Sequence, residues 1–338
     1  MDFQVPIRIK PLDPLITHQD KLLLIGSCFT EHIGRNLEEA KFNVLQNPSG
    51  ILFDPIGVCN SLVAYMENKQ YAAGDLFELN EAWHSWMHHS RFSHPSAGQA
   101  LAAINESQQQ AHDFLKQADW LLITLGSSFV YKLKENGQPV VNCHKAPAQE
   151  FTKHLSTIEE IVTMLDGTIY RLFQFNPKLK IIFTISPVRH IRDGVTENNR
   201  SKARLIEAVH HLVNKLDRLY YFPAYELVID VLRDYRFYDI DMVHPNYQAT
   251  QFVLEHFKAS CTDETARLII EEVKRIALAR RHRPFNPASQ QHRQFLHSTM
   301  NKARELMELY PWIDFTEEMA YFESEWSDST GSGFSSKQ

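Results

Sequence analysis

Lys21-Leu22-Leu23-Leu24-Ile25-Gly26-Ser27-Cys28-Phe29-Thr30 joins a short apolar run to Gly-Ser and then to a helical pattern. An apolar run of this length, bounded by polar and glycine positions, suits a strand buried on both faces. Phe29, Ile33, Leu37 and Ala40 follow at the spacing of one helix face. The turn between the two is sharp. It is expected to expose the Ser27 oxygen and to aim the first free N–H groups of the helix at any negative charge beside it.

Working outward, runs of the same kind recur at 120–125 and 181–185, with a further candidate at 219–222 and a weaker one at 42–45. Helical patterns lie between them at 156–175 and 202–219, and another follows at 247–257. This alternation predicts a doubly wound α/β fold with a central parallel sheet and right-handed crossovers. Ligands in such sheets collect at the carboxyl ends of the strands, beside the point where strand order reverses. In a 2-1-3-4-5 order, the strand ending at Ser27 and the strand ending at Gly126-Ser127-Ser128 are neighbours at that point. Asp241-Met242-Val243-His244 follows the last strand on the same edge.

A serine at a strand end with a carboxylate three residues before a histidine supplies the parts of an activated nucleophile. His244 would take the Ser27 proton, and Asp241 would reach the other ring nitrogen and fix the tautomer. Each feature alone has an ordinary reading. Ser27 could be a helix N-cap, and 241–244 a helix-entry turn. Cys28 is a rival nucleophile at the same helix end, but it points about 100° around the helix from Ser27 and reads as a buried structural thiol.

Composition sets the class. The 338 residues are 43% apolar and 22% charged, ordinary soluble usage. The net charge of −6, with both signs spread along the chain, argues against a nucleic-acid binder. Four cysteines, Cys28, Cys59, Cys143 and Cys261, form no CxxC pair and read as reduced thiols. No signal-peptide pattern opens the sequence, and no apolar stretch nears the ~20 residues of a membrane span. A soluble, cytoplasmic protein without a membrane partner or cofactor is expected.

The chain divides into a main domain at 1–262, a helical extension at 263–326, and a Ser/Gly-rich tail at 327–338 expected to be disordered. Ile269, Val273 and Ile276 are expected to dock the extension on the main domain. The interval 56–118 reads as a cap-like insertion, and 134–151 as a second irregular one. Trp83, His84, Trp86 and His88 in the first would overhang Ser27 as a substrate-facing wall. His84, His88 and His89 with Cys143 and His144 could alternatively ligate zinc, although no HExxH or CxxC accompanies them. His190, after the 181–185 strand, could also face the site.

Gly26-Ser27-Cys28-Phe29-Thr30 resembles the name-giving motif of the GSCFA family, whose last letter is commonly Ala. The resemblance spans residues 5–260 and includes Asn47-Pro48-Ser49-Gly50, Thr124-Leu125-Gly126-Ser127 and Ser186-Pro187-Val188-Arg189-His190. It places the chain in the SGNH/GDSL hydrolase superfamily. It implies a three-layer α/β/α, flavodoxin-like fold with Ser27, Asp241 and His244 as the catalytic set. Two departures stand out. Ile25-Gly26 precedes the serine where SGNH enzymes have Gly-Asp. Gly126-Ser127-Ser128-Phe129 stands where their Gly-x-Asn-Asp supplies an oxyanion donor. The oxyanion hole would then fall to the N–H groups of Ser27 and Gly50 and the Ser127 hydroxyl, or be incomplete. The expected activity is hydrolysis or transfer of an acyl ester on a polar small molecule or carbohydrate. The alternatives are a non-catalytic binding module on the same fold and a metal-dependent hydrolase using the histidines.

Overall fold

The computed structural model describes residues 5–331. In chain order the main domain comprises β1 (Lys21–Gly26), α1 (Cys28–Glu39), β2 (Asn43–Gln46), α2 (Pro55–Glu67), β3 (Phe77–Leu79), β4 (Ala82–His84), α3 (Ala97–Gln117), β5 (Trp120–Leu125), β6 (Phe129–Leu133), β7 (Pro139–Val140), β8 (Phe151–Leu155), α4 (Ile158–Phe175), β9 (Lys180–Ile185), α5 (Val195–Val213), β10 (Leu219–Tyr221), α6 (Ala224–Glu226) and α7 (Tyr247–Cys261). A π-helical turn over Leu227–Leu232 continues α6. The C-terminal helices are α8 (Glu264–Arg281), α9 (Gln290–Leu309) and α10 (Thr316–Gly331).

Five parallel strands form the central sheet in the order β10-β9-β5-β1-β2. Numbered among themselves, these strands run 2-1-3-4-5, so the reversal falls between β1 and β5. Alternation along each strand sends side chains to opposite faces. Leu23, Ile25, Leu121, Ile123, Ile181 and Phe183 pack against α2, α3, α4 and α5. Leu22, Leu24, Trp120, Leu122 and Ile182 pack against α1, the 224–232 turn and α7. The result is a three-layer α/β/α fold. Each fully buried Leu, Ile or Val contributes roughly 1.5–3 kcal/mol, which is why these runs were readable as strands.

Helix ends follow local chemistry. Asp54 caps α2 through Gly57 N–H with Pro55 at the first helical position. Thr157 and Glu160 form a reciprocal capping box on α4. Asn246 caps α7 through Ala249 N–H, two residues after His244.

The structure departs from the sequence reading in several places. The interval 56–118 contributes α2 and α3 to a helical layer, and only the short β3–β4 hairpin and its flanks stand outside it. The irregular stretch at 134–151 carries only the two-residue β7, but it links β6 to β8, strands the sequence reading did not anticipate, and the three form an antiparallel sheet in the order β7-β6-β8. Helix α5 begins at Val195, ahead of the expected 202. Helix α10 runs through Ser327 to Gly331, and residues 332–338 lie outside the described residues.

Helices α8, α9 and α10 enclose their own core of Ile269, Val273, Ile276, Leu296, Met300, Phe315 and Phe322. It is Ala266 and Ile270, one position around α8, that join the main-domain core. The docking stripe is therefore offset from the one expected. At this junction Lys41 pairs with Glu318 at 2.8 Å. The Trp312 indole donates to Nδ1 of buried His18, whose Nε2 meets Ala40 O at 2.9 Å.

Candidate active site

Ser27 stands between β1 and α1 with β-region backbone angles (φ −68°, ψ 173°) and is fully buried. Its hydroxyl caps nothing. Among the described residues Oγ accepts no amide of α1 and has no hydrogen-bond partner. A buried hydroxyl left unbonded costs on the order of 1–3 kcal/mol, and such groups call for an explanation. Ser27 is thus the N-cap of α1 by position and through its carbonyl, which accepts Thr30 N–H, but not through its side chain. Gly26 makes the turn possible. Its φ is +144°, and a Cβ there would lie 2.1 Å from Thr124 O.

The Asp241–His244 turn is held from three sides. Asp239 N–H donates to His244 O, Asn246 N–H to Phe237 O, and Arg189 N–H to Val243 O. Asp241 accepts the amides of Val243 and His244 through Oδ1, and its Oδ2 lies 2.6 Å from His244 Nδ1. These bonds, the His244 amide foremost, hold the exposed Asp241 carboxyl down at about 2. The carboxylate therefore stays ionised and aimed at Nδ1. His244 lies near enough to His32 of α1 and to His190 for their charges to interact. No hydrogen bond joins it to Ser27 Oγ, and the side chain is about half exposed while the serine is sealed.

The expected oxyanion donors are spent elsewhere. Ser27 N–H donates to Thr124 O at 3.1 Å and Gly50 N–H to Asn47 O at 2.7 Å. Ser127 Oγ accepts Phe129 N–H at 3.1 Å and lies 3.3 Å from Ser201 Oγ. Other donors stand nearby. The amides of Cys28 and Phe29 open α1, where no carbonyl of the helix reaches them, and both lie within reach of the Cys28 sulfur. The Asn47 side chain is fully buried; its Oδ1 accepts Gly26 N–H at 2.9 Å, which fixes the amide's orientation and leaves Nδ2 as a buried donor without a partner. Asn47 holds this post in left-handed backbone, φ 45°. Cys28 is partly buried, with its thiol pushed up by burial, the behaviour of a structural cysteine.

His190 does reach the strand ends. Its Nε2 is buried without a partner and would lie 3.3 Å from a Cβ on Gly126. The ring packs edge-on against Phe53, and burial lowers it to about 4. The histidine-rich stretch is placed differently. Both nitrogens of His84 are engaged, by Ser93 Oγ at 2.6 Å and Leu79 O at 3.0 Å. His88 Nδ1 meets Ser85 Oγ, and burial lowers this ring to about 3. Trp86 stacks on Phe77 at 3.6 Å, Trp83 exchanges backbone bonds with His94, and His144 Nε2 meets Ser85 O. These side chains knit the β3–β4 hairpin to the β6–β8 sheet. His89 and Arg91 are the residues of this stretch that touch the Asn47–Gly50 loop, through Ser49 O and through Asn47 O and Pro48 O. Among the described residues no three His, Cys, Asp or Glu side chains gather as a metal-ligand set. No helix there is long and apolar enough to cross a membrane.

The model of the GSCFA family matches residues 21–257, which contain both Ser27 and the Asp241–His244 turn. The chain belongs to the GSCFA family. The model described as GSCFA domain protein, C-terminal domain, matches residues 273–328 of this GSCFA chain, covering most of α8 to α10. Among solved structures, the GSCFA chain is similar to a carbohydrate esterase family 3 protein from Talaromyces cellulolyticus, at 9% identity over 76% of this chain and 99% of that one, with a TM-score of 0.36. It is also similar to the acetyl xylan esterase Est2A from the rumen bacterium Butyrivibrio proteoclasticus, at 13% identity over 72% of this chain and 64% of that one, again with a TM-score of 0.36. Comparison with curated proteins gives no match.

One group escaped the sequence reading. Asn198, Ser201 and Lys202 are buried on the face of α5 that further along carries Leu205, Ala208 and Leu212. The signal was present: polar residues at positions three and four apart, in line with an apolar helical stripe.

Proposed function

We propose that this protein transfers acyl groups from polar esters, to water or to a second acceptor, with Ser27 as nucleophile. The observation that carries the reading is the Ser27 hydroxyl, buried at a strand-to-helix turn, committed to no cap and no partner. The base for it is His244, already oriented by an ionised carboxylate. Ser27 Oγ attacks the ester carbonyl carbon as its proton passes to His244 Nε2. The tetrahedral adduct's oxygen is met by the Cys28 and Phe29 amides and by Asn47 Nδ2. His244 returns the proton to the departing alcohol, and water or an acceptor hydroxyl then releases the acyl group by the same steps in reverse. The 240–244 turn must move toward Ser27 for the first proton transfer. Catalytic hydrogen bonds that tighten only with substrate bound are common.

A second reading, a ligand-binding module without turnover, draws on the separation of Ser27 and His244 and on the occupied amides of Ser27 and Gly50. One experiment separates the two. A fluorophosphonate probe should label the wild type at Ser27 by peptide mapping, and an acyl-ester panel should show turnover that Ser27→Ala lacks. Labelling elsewhere, or equal turnover in Ser27→Ala, defeats the first reading.

A further inference from the structure

The opening turns of α5 are a clamp on the site. Asn198 Oδ1 accepts His190 N–H at 2.9 Å, and Ser201 Oγ accepts Ser128 N–H at 2.8 Å. Lys202 Nζ donates to Gly126 O and to Ser186 O, both at 2.6 Å. Those two carbonyls follow β5 and β9 directly, and Gly126 carries the loop whose other side meets His190.

Lys202 is 1% exposed. Among the described residues no carboxylate forms an ion pair with it. A buried lysine without a counter-charge is expensive to keep. A methionine would fill the same volume at less cost, though it would leave both carbonyls unbonded. The titratable groups that face Lys202 are the Cys28 thiol from α1, the His190 imidazole from the loop after β9, and the Tyr225 ring, 6.0 Å away, from α6. The charge thus lies behind the amino end of α1, among loops that end strands.

We propose that Lys202 is a positioning residue for the reaction at Ser27: its ammonium draws the Gly126 and Ser186 carbonyls together, fixes the ends of β5 and β9, and sets a positive charge behind the helix end where the adduct's oxygen becomes negative. This rests on the reading of Ser27 as nucleophile. Burial lowers the amine to about 7, so the charge is present on the acid side of neutrality and lost above it. Cys28 and Tyr225 are pushed up by burial and His190 is lowered to about 4, so none of the facing groups titrates in the same window. A general base gives only a limb that rises with pH. A descending limb near neutrality therefore belongs to Lys202.

The test is the rate of fluorophosphonate labelling at Ser27, measured from the acid to the alkaline side of neutrality for the wild type, Lys202→Met and Lys202→Arg. The wild type should slow about tenfold above neutrality. Lys202→Met should be roughly 100-fold slower at neutral pH, the scale of losing one oxyanion-type contact, and its descending limb should be gone. Lys202→Arg, charged throughout, should regain part of the rate and keep it at alkaline pH. A merely structural lysine predicts a lower melting temperature with the pH profile unchanged, and that result overturns the inference. A wild-type profile with no descending limb overturns it even if neither variant folds. Absence of any Ser27 labelling in the wild type overturns the nucleophile reading and this inference together.

Discussion

Gly26→Ala is the substitution whose cost the structure defines most sharply. The residue pairs with Thr124 in the sheet, donates to Asn47 Oδ1, accepts Leu52 N–H, and holds φ at +144°. That backbone region is essentially reserved for glycine, and holding another residue there costs about 1–3 kcal/mol. The new Cβ would lie 2.1 Å from Thr124 O and under 3 Å from two further Thr124 backbone atoms. These atoms belong to a central strand bonded on both sides, so no side chain can swing aside. Overpacking of this kind adds about 1–3 kcal/mol more. The sum, about 2–6 kcal/mol, is a large share of the ~5–15 kcal/mol that holds a typical domain together. Denaturant melts should therefore show a midpoint shift worth at least about 2 kcal/mol, and Ser27 labelling should fall with it. Gly167→Ala in α4, where a Cβ meets nothing within 4 Å, is the control and should gain about 0.5–1 kcal/mol. A Gly26→Ala protein within about 0.5 kcal/mol of wild type would refute the reasoning.

Asp241→Asn should keep the turn, because the amide oxygen can still accept the Val243 and His244 N–H groups. Its NH2 would face His244 Nδ1 and impose the wrong tautomer, so turnover should drop by roughly 10⁴-fold, with thermal stability little changed. Since Asp241 ionises at about 2 in the fold, below its ordinary carboxylate value, its support of the turn is present above the unfolded value and lost only as pH falls through about 2. Circular dichroism and labelling on acidification would check this. Trp312→Phe removes the only donor to the buried His18 Nδ1 among the described residues; stability should fall by about 1–3 kcal/mol in denaturant melts, while Ser27 labelling keeps its rate.

The sheet was legible because β1, β5 and β9 are buried on both faces and leave uninterrupted apolar runs. The β6–β8 sheet was not, because Phe129, Tyr131 and Lys132 are only partly buried and β6 leaves no uninterrupted apolar run. The start of α5 was hidden by the same polar residues that act as the clamp, since an interior helix face is expected to be apolar. For the candidate site, position on the strand ends could be inferred for Ser27, Gly126, His190 and the 241–244 turn. Hydrogen-bond saturation could not. Composition alone cannot tell that His84 and His88 are consumed by Ser93, Leu79 and Ser85, residues of the same hairpin region, while Asn47 retains a donor.

The C-terminal helices attach through Lys41, Ala40 and His18, positions at the start of β1 and β2. Ser27 lies at the other end of β1, a strand of six residues and therefore about 20 Å long. The candidate nucleophile and the attachment thus occupy opposite poles of one strand. The outer surfaces of α8, α9 and α10 can accordingly be rewritten, whether by drift or by a library aimed at new partners or at immobilisation on a support, while the Ser27 end keeps its neighbours. Selection acting on what the protein associates with and selection acting on the Ser27 end of the sheet would draw on separate sets of positions.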